Sequence, residues 1–318
     1  MNVIGGFFEE ENLNDNKNGF PFLEDQTYSN GRSALYEILQ ICQPTKIFLP
    51  AYTCDAVLEP ILKLQIPYSF VEINNQMEFV ALPDLKSSEV LLGINYFGLK
   101  GTYLKEISTQ LGTNLIIDNS QAFYSSNWNT WAFNSLRKYF GVPDGSILYT
   151  PDGSTPKRTH SYNLPKIEHL KLRKNGAIDL GYKLYKESEK EQAISDKKMS
   201  NYSSEVLQHL NLKSIRQRRI ENFNYLVNAL SKWNQLDLSI NIKHDVPLCY
   251  PFWPKNPIPH AKFWNHGIYV PVFWKECLKR GAKYKFESVL SAELIPLPVD
   301  HRYDEEEMNR MIEFISIQ

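Results

Sequence analysis

The feature that most constrains the fold is an alternation of short apolar segments with amphipathic segments between residues 29 and 150. Apolar runs bounded by turn residues predict strands, and these lie at 46–50, 68–73, 89–97, 115–120, 131–136 and 146–150. Apolar residues recur at helical spacing in the intervening segments near 29–42, 53–64 and 102–111. Because strands alternate with helices, we predict an α/β layer fold with a mostly parallel central sheet.

The two ends of the chain follow different patterns. Residues 1–28 have no clear periodicity and predict an irregular N-terminal arm. Residues 165–233 have a charged helical pattern, in which we interpret the basic run RQRR at 216–219 as a solvated helix face. We predict a large domain over 1–200, which includes the arm, and a smaller domain over 201–318. The acidic run at 304–307 suits the first turn of a C-terminal helix.

Charge and cysteine content argue against several classes of protein. The 318 residues include 35 Lys and Arg against 36 Asp and Glu, so no basic field exists to attract nucleic acid or an anionic membrane. No segment has the ~18 consecutive apolar residues that a membrane span needs. The cysteines are widely separated and form no CxxC pair, so we expect reduced thiols and neither a metal site nor a disulfide framework. We therefore expect a cytoplasmic protein that acts on small molecules.

The first segment suited to chemistry is SNGRSAL at 29–35, where a turn containing Gly31 opens into an amphipathic helix. Free backbone N–H groups at a helix start, together with the Ser33 hydroxyl and the helix dipole, can hold a phosphate. A helix N-cap explains the same residues equally well.

Two further segments contain ionisable residues beside predicted strands. The strand LIIDNS places Asp118 at its carboxyl end, where ligands of open α/β sheets bind, with Gln121 close behind. A turn or cap aspartate is the alternative. Lys138 follows another strand, beside Arg137 and among aromatic residues, a setting that favours the neutral amine that attacks a carbonyl. An ordinary surface lysine is the alternative there.

The order and spacing of these segments resemble the sugar aminotransferases of the DegT/StrS type, which are pyridoxal-phosphate enzymes of the aspartate-aminotransferase fold (fold type I). The resemblance extends over most of the chain from about residue 28. It rests on the turn before an Ala-Leu helix, PAYT at 50–53, DNSQA at 118–122, SLRKYFGVPDG at 135–145, and the later segments MSNYSSEVLQHL, GIYVPVFW and LPVDHRYDEEEMNRM.

The resemblance implies a role for each residue that it matches. Lys138 would hold pyridoxal 5′-phosphate as a Schiff base, Asp118 would pair with the ring nitrogen, and Gln121 would lie beside the ring. The remaining implied cofactor contacts are Gly31, Arg32, Ser33, Tyr52 and Ser135. A large domain with a mostly parallel sheet and a smaller C-terminal α+β domain are implied as well, together with a homodimer.

Three features depart from that family. Cys54 stands where many members have an aromatic residue that stacks on the cofactor ring, so Tyr52 is the alternative stacking residue. Ser135 lies three residues before Lys138, whereas many members have the serine five residues before the lysine. The turn FGVPDG replaces a Thr/Gly-rich stretch.

The leading functional hypothesis is therefore transfer of an amino group from glutamate or a similar donor to a keto sugar, nucleotide-linked, for polysaccharide or secondary-metabolite synthesis. The alternatives are another reaction of the same cofactor, such as elimination or decarboxylation, and an inactive binding or regulatory protein that keeps the fold. Three arginines are candidates to bind the donor carboxylate: Arg32, Arg137 and Arg302.

Overall fold

The computed structural model describes residues 3–13, 15, 17–19, 22, 24–156, 161–238, 240–241 and 243–318. The strands within this part of the chain are β1 (Ile4–Gly5), β2 (Thr27–Tyr28), β3 (Lys46–Pro50), β4 (Tyr68–Val71), β5 (Glu89–Ile94), β6 (Leu115–Asn119), β7 (Trp131–Asn134), β8 (Ser146–Tyr149), β9 (Cys249–Phe252), β10 (Ile268–Tyr269) and β11 (Ile295–Pro298). The α-helices are α1 (Gly31–Cys42), α2 (Leu58–Lys63), α3 (Gly101–Leu111), α4 (Glu168–Lys174), α5 (Ile178–Lys190), α6 (Asn201–His209), α7 (Leu212–Leu230), α8 (His260–Asn265), α9 (Lys285–Glu293) and α10 (Glu305–Ser316).

Seven of these strands form one sheet in the order β2-β8-β7-β6-β5-β3-β4. The run from β4 to β7 is parallel, β8 is antiparallel to β7, and β2 is antiparallel to β8. Two successive reversals make β2 run in the same direction as β7. The strands β2, β3, β5, β6 and β7 therefore all end on one side, which we call the carboxyl edge.

The apolar runs form these strands because helices cover the sheet. Every residue of β5 and of β6 is buried, as expected for parallel strands packed on both faces. Helix α1 buries Ala34, Leu35, Ile38 and Leu39, which fall on one face at helical spacing, and it packs against β7 and β8. The predicted α/β fold with a mostly parallel sheet is confirmed.

The C-terminal part packs on the same core. Helix α7 contacts α10 and β9, and β9 pairs with β11 in an antiparallel ribbon. Side chains of α7 and α10, among them Phe223 and Met308, belong to the same buried cluster as Leu35 of α1. The acidic start of α10 is a capping box, in which Asp304 and Glu307 each accept a backbone N–H.

Two sequence interpretations need correction. The basic run at 216–219 is not a uniformly solvated face, because Arg219 is fully buried within α7. The N-terminal arm is not irregular throughout, since β1 pairs with β10 in parallel through Ile4 and Ile268. Strands β1 and β10 are far apart in the sequence, so local periodicity does not reveal this pairing.

None of the helices in the described part of the chain combines the length and the apolar character needed to cross a bilayer.

Candidate active site

Five connections meet at the carboxyl edge of the sheet. They are the start of α1 after β2, the segments 51–55, 95–98 and 135–138 that follow β3, β5 and β7, and residues 118–121, which are the last two residues of β6 and the two after it. The register places Ile94 beside Asp118 and Asn119 beside Asn134, so neighbouring strands end level with one another. The edge is where open α/β sheets bind ligands.

Asp118 and Lys138 act on each other at this edge. Asp118 is 6% exposed at the end of β6, and its carboxylate accepts the backbone N–H of Ser120 at 2.7 Å. Burial raises the pKa of Asp118, while the Lys138 ammonium and the Ser120 hydrogen bond oppose that rise. Among the residues that the structure describes, no carboxylate lies within ion-pair distance of Lys138 Nζ.

The Cys54 thiol lies in the same electrostatic neighbourhood. Burial raises its pKa, the Lys138 charge lowers it and the Asp118 charge raises it. The segments after β3, β6 and β7 therefore place a thiol, a carboxyl group and an amine within reach of one another's charges.

Gln121 has one satisfied and one unsatisfied polar group. Its side chain is 1% exposed, and Oε1 accepts the Phe97 backbone N–H at 2.9 Å. The Nε2 amide, also buried, has no hydrogen-bond partner among the residues that the structure describes. A buried donor left without an acceptor costs ~1–3 kcal/mol, which a ligand with an oxygen at this place would recover.

Tyr52 is fully buried in an aromatic cluster. Its ring packs edge-on against Trp274 with centroids 4.4 Å apart and lies 5.6 Å from Tyr96. The Tyr96 hydroxyl donates to the Tyr52 carbonyl at 2.7 Å, whereas the Tyr52 hydroxyl has no hydrogen-bond partner in the described part of the chain. Two aromatic neighbours from distant segments thus already contact the ring predicted to stack on a cofactor.

The start of α1 is capped by Asn30. The Asn30 side chain accepts the Ser33 backbone N–H at 2.9 Å, and the Ser33 hydroxyl donates to the same oxygen at 3.1 Å. Gly31 lies against the end of β7, because a Cβ on it would come within 3.2 Å of the Asn134 carbonyl oxygen. The cap interpretation of SNGRSAL is therefore satisfied in the structure, and the helix start lies directly beside the segment that contains Ser135 and Lys138.

Residues 193–197, which follow α5, cover this helix start. The Ser195 backbone N–H donates to the Ser33 hydroxyl at 3.0 Å, and the Asn30 amide donates to the Ala193 carbonyl at 2.8 Å. The Ser29 backbone N–H donates to the Lys197 carbonyl at 3.0 Å. We call residues 193–197 the strap. Nothing in the local sequence of α1 indicated it, because the contacts span more than 160 positions.

The arginines proposed for the donor carboxylate all have partners. Arg32 pairs with Glu59 at 2.9 Å, and Arg137 bonds to Glu189 of α5. Arg302 binds Asp300 through two hydrogen bonds, of 2.7 and 3.0 Å, and Glu9 through a third of 2.9 Å.

The turn that contains Lys138 is held from both sides. Leu136 and Gly145 are joined by a backbone hydrogen bond of 3.0 Å, and Gly145 has φ +122, which a residue with a side chain rarely adopts. The Asp144 carboxylate accepts the Ser200 backbone N–H at 2.9 Å and the Ser200 hydroxyl at 2.7 Å, which anchors the turn to the start of α6. The unusual FGVPDG sequence thus has a structural explanation.

Arg219 is a residue of this site that sequence reasoning missed. Its guanidinium lies over the Tyr139 ring at 4.5 Å and donates to the Tyr139 carbonyl at 3.1 Å and the Leu248 carbonyl at 3.1 Å. Tyr139, next to Lys138, donates its hydroxyl to the Gln121 carbonyl at 2.7 Å. The one available signal was the spacing of Arg219 with Ile215, Ile220 and Phe223 on the apolar face of α7.

Solved structures with this arrangement of elements identify the fold. An aminotransferase of the DegT/DnrJ/EryC1/StrS type from Brucella abortus aligns with a TM-score of 0.60 and 14% identity over 91% of this chain and 84% of its own. DesV of S. venezuelae, solved with a ketimine intermediate, aligns with a TM-score of 0.60 and 15% identity over 91% and 83%. The chain has the fold of the pyridoxal-phosphate-dependent aminotransferases.

A third structure of this aminotransferase fold is the sugar aminotransferase CalS13 from Micromonospora echinospora. It aligns with a TM-score of 0.60 and 10% identity over 92% of this chain and 86% of its own. No family model and no curated protein matches the chain. These TM-scores establish the aminotransferase fold. Because the sequence identities are low, the chemistry has to be argued from the residues at the carboxyl edge.

Proposed function

We propose that this chain is a pyridoxal-phosphate-dependent aminotransferase that transfers an amino group from glutamate or a similar donor to a nucleotide-linked keto sugar. The observation that supports it most is the position of Lys138, an amine without an ion-pair partner in the described structure, beside the buried Asp118 carboxyl group. Lys138 and Asp118 both lie at the carboxyl edge of the central sheet, in a chain that has the aminotransferase fold.

The donor set at this edge fits the cofactor. Within the described residues the buried Asp118 carboxyl group accepts one hydrogen bond, from the Ser120 backbone N–H, so it could also accept the N–H of a protonated ring nitrogen. The Gln121 Nε2 group, which no described residue contacts through a hydrogen bond, suits an oxygen on the ring. At the other end, Gly31, Arg32 and Ser33 at the start of α1 would hold the phosphate, with Ser135 beside them.

Each residue would have one task. When bound, pyridoxal phosphate supplies an electron-withdrawing ring that stabilises negative charge on the substrate carbon. Asp118 would keep the ring nitrogen protonated. Lys138 would attach the cofactor and, once released by the amino donor, would move a proton at the substrate carbon as a general acid and base. Tyr52 would form the wall of the site next to the cofactor ring. Its contacts with Trp274 and Tyr96 would hold its orientation.

The keto-sugar acceptor is supported by the resemblance in sequence and by the fold neighbours. CalS13 is a sugar aminotransferase, and DesI was solved in the presence of its TDP-sugar product. The same resemblance supports a homodimer, a role in polysaccharide or secondary-metabolite synthesis, and a division into domains at residue 200.

To test the proposed function, pyridoxal phosphate is added to the purified protein and the visible absorbance spectrum is recorded. We expect a visible band that Lys138→Ala abolishes, while Lys186→Ala, on the exposed part of α5, keeps it. Glutamate should then convert the band to that of the aminated cofactor without any acceptor. Absence of a band in the wild type would refute the enzyme hypothesis, and a band that no amino donor converts would favour a lyase or decarboxylase.

A further inference from the structure

The phosphate end of the proposed site already contains an anion that belongs to the chain. Glu189 of α5 accepts a hydrogen bond from Arg137, whose side chain is 15% exposed against 38% for Glu189. Burial would raise the pKa of Glu189, but Arg137, then Arg32 and Lys138, lower it overall. One carboxylate therefore interacts with the three cations that flank the start of α1 and the end of β7.

The strap positions that carboxylate. Residues 193–197 begin three residues after α5 ends at Lys190, and their hydrogen bonds to Ser29, Asn30 and Ser33 hold the end of α5 against the start of α1. The Ser195 and Ser29 hydroxyls lie 2.9 Å apart within this contact. Helix α5 also packs on α4, the helix that precedes it.

These contacts use groups that a phosphate would need. A phosphate at a helix start takes hydrogen bonds from N–H groups and hydroxyls, and charge from nearby arginines. In this chain the Ser33 hydroxyl has partners in Asn30 and Ser195, and Arg137 has a partner in Glu189. A dianion that entered beside Glu189 would meet like charge at close range.

We propose that Glu189 competes with the phosphate group of the cofactor for Arg137, so that Glu189 sets the affinity of this chain for phosphate-bearing ligands. The inference rests on the proposed function, because that function places the phosphate at the start of α1. Cofactor binding then requires Glu189 to leave Arg137, together with a shift of the strap. The resulting affinity for the cofactor is weaker than that of the same site without the carboxylate.

The test compares Glu189→Gln with the wild type and with Glu187→Gln, a control on the exposed face of the same helix. Dissociation constants are measured by calorimetry for inorganic phosphate and by the visible band for pyridoxal phosphate. We expect Glu189→Gln to bind both ligands about tenfold more tightly, equivalent to ~1.4 kcal/mol, and Glu187→Gln to match the wild type. Equal affinities in all three proteins would overturn the proposal.

A second variant covers the case in which Glu189→Gln leaves Arg137 too poorly paired to fold. Glu189→Asp keeps the charge but withdraws it by one methylene, so it should also tighten phosphate binding, by a smaller factor. In both variants inorganic phosphate should raise the melting temperature more than it does in the wild type. Variants that gain nothing from phosphate would contradict the competition.

The outcomes also separate this inference from the proposed function. A Lys138-dependent band with unchanged affinity in Glu189→Gln overturns the inference and leaves the proposed function standing. Tighter phosphate binding in Glu189→Gln, with no band in any protein, supports an anion site governed by Glu189 and overturns the proposed cofactor chemistry.

Discussion

Two buried aspartates in this molecule have opposite electrostatic environments. Asp118 at the carboxyl edge and Asp300 before α10 are each 6% exposed, and each has a cation nearby. Burial raises the pKa of Asp118, and Lys138 only partly offsets that effect. Burial also opposes the charge of Asp300, but Arg302, through direct contact, holds the pKa of that carboxyl group well below its usual range.

The pKa values of the two aspartates differ because their hydrogen-bond partners differ, and this shows which carboxyl group could accept a ligand. Arg302 forms two hydrogen bonds with Asp300 and a third with Glu9, which in turn accepts from Arg173 at 2.8 Å. These groups satisfy one another, and we call them the arm network. At the carboxyl edge, counting described residues alone, the Gln121 Nε2 group has no hydrogen-bond partner and Asp118 has one short hydrogen bond. This contrast fits a stabilising role for the arm network and the binding role proposed for the carboxyl edge.

The largest effect that would test this comparison is loss of Arg302. Arg302→Ala leaves the buried Asp300 carboxylate without its hydrogen-bonded cation and leaves Glu9 with Arg173 alone, so we expect the unfolding free energy to fall by ~3–5 kcal/mol. Arg218→Ala, which removes an exposed arginine paired with Glu221 at 3.6 Å, should change it by less than ~0.5 kcal/mol. Chemical denaturation measures both, and similar losses in the two variants would refute the distinction.

Neutral replacement should lower the unfolding free energy at Asp300 but not at Asp118. Asp300→Asn breaks charge-assisted bonds to Arg302 and should lower the unfolding free energy by ~2–3 kcal/mol. Asp118→Asn removes a carboxylate that burial disfavours, so the free protein should be unchanged or more stable by ~1 kcal/mol. Chemical denaturation of both variants without cofactor measures these two changes in unfolding free energy. A loss for Asp118→Asn as large as that for Asp300→Asn would place Asp118 among the structural groups.

A smaller effect concerns His169, which lies between the two regions. Its ring is 6.2 Å from that of Phe7 in the arm, and burial, followed by the charge of Arg137, lowers its pKa to about 4. Since the unfolded chain binds a proton near pH 6.5 and the folded chain does not, stability should fall as pH drops from 6.5 towards 4. We expect ~1–2 kcal/mol of this loss to vanish in His169→Gln, after allowance for partial solvent screening. Denaturation curves between pH 7 and 4.5 measure it, and identical pH dependence in the variant would contradict the assignment.

The fold and part of the candidate site could be predicted from sequence because their signals are local. Apolar runs of strand length, helical spacing in α1, the placement of Asp118 at the carboxyl end of one strand and that of Lys138 after another can all be recognised within about ten residues. Parallel strands must end at a common edge, which is why Gly31, Asp118 and Lys138 converge. Their roles with a cofactor stay predictions.

The α/β order and the identity of the groups delivered to the carboxyl edge therefore follow from local patterns in the sequence. Which of those groups already have partners depends on the packing of distant segments. The burial of Arg219, the ring contacts of Tyr52, the strap on α1 and the pairing of Glu189 with Arg137 all join segments far apart in the chain. Local periodicity contains no information about such pairs, because they depend on how the helices pack across the finished sheet.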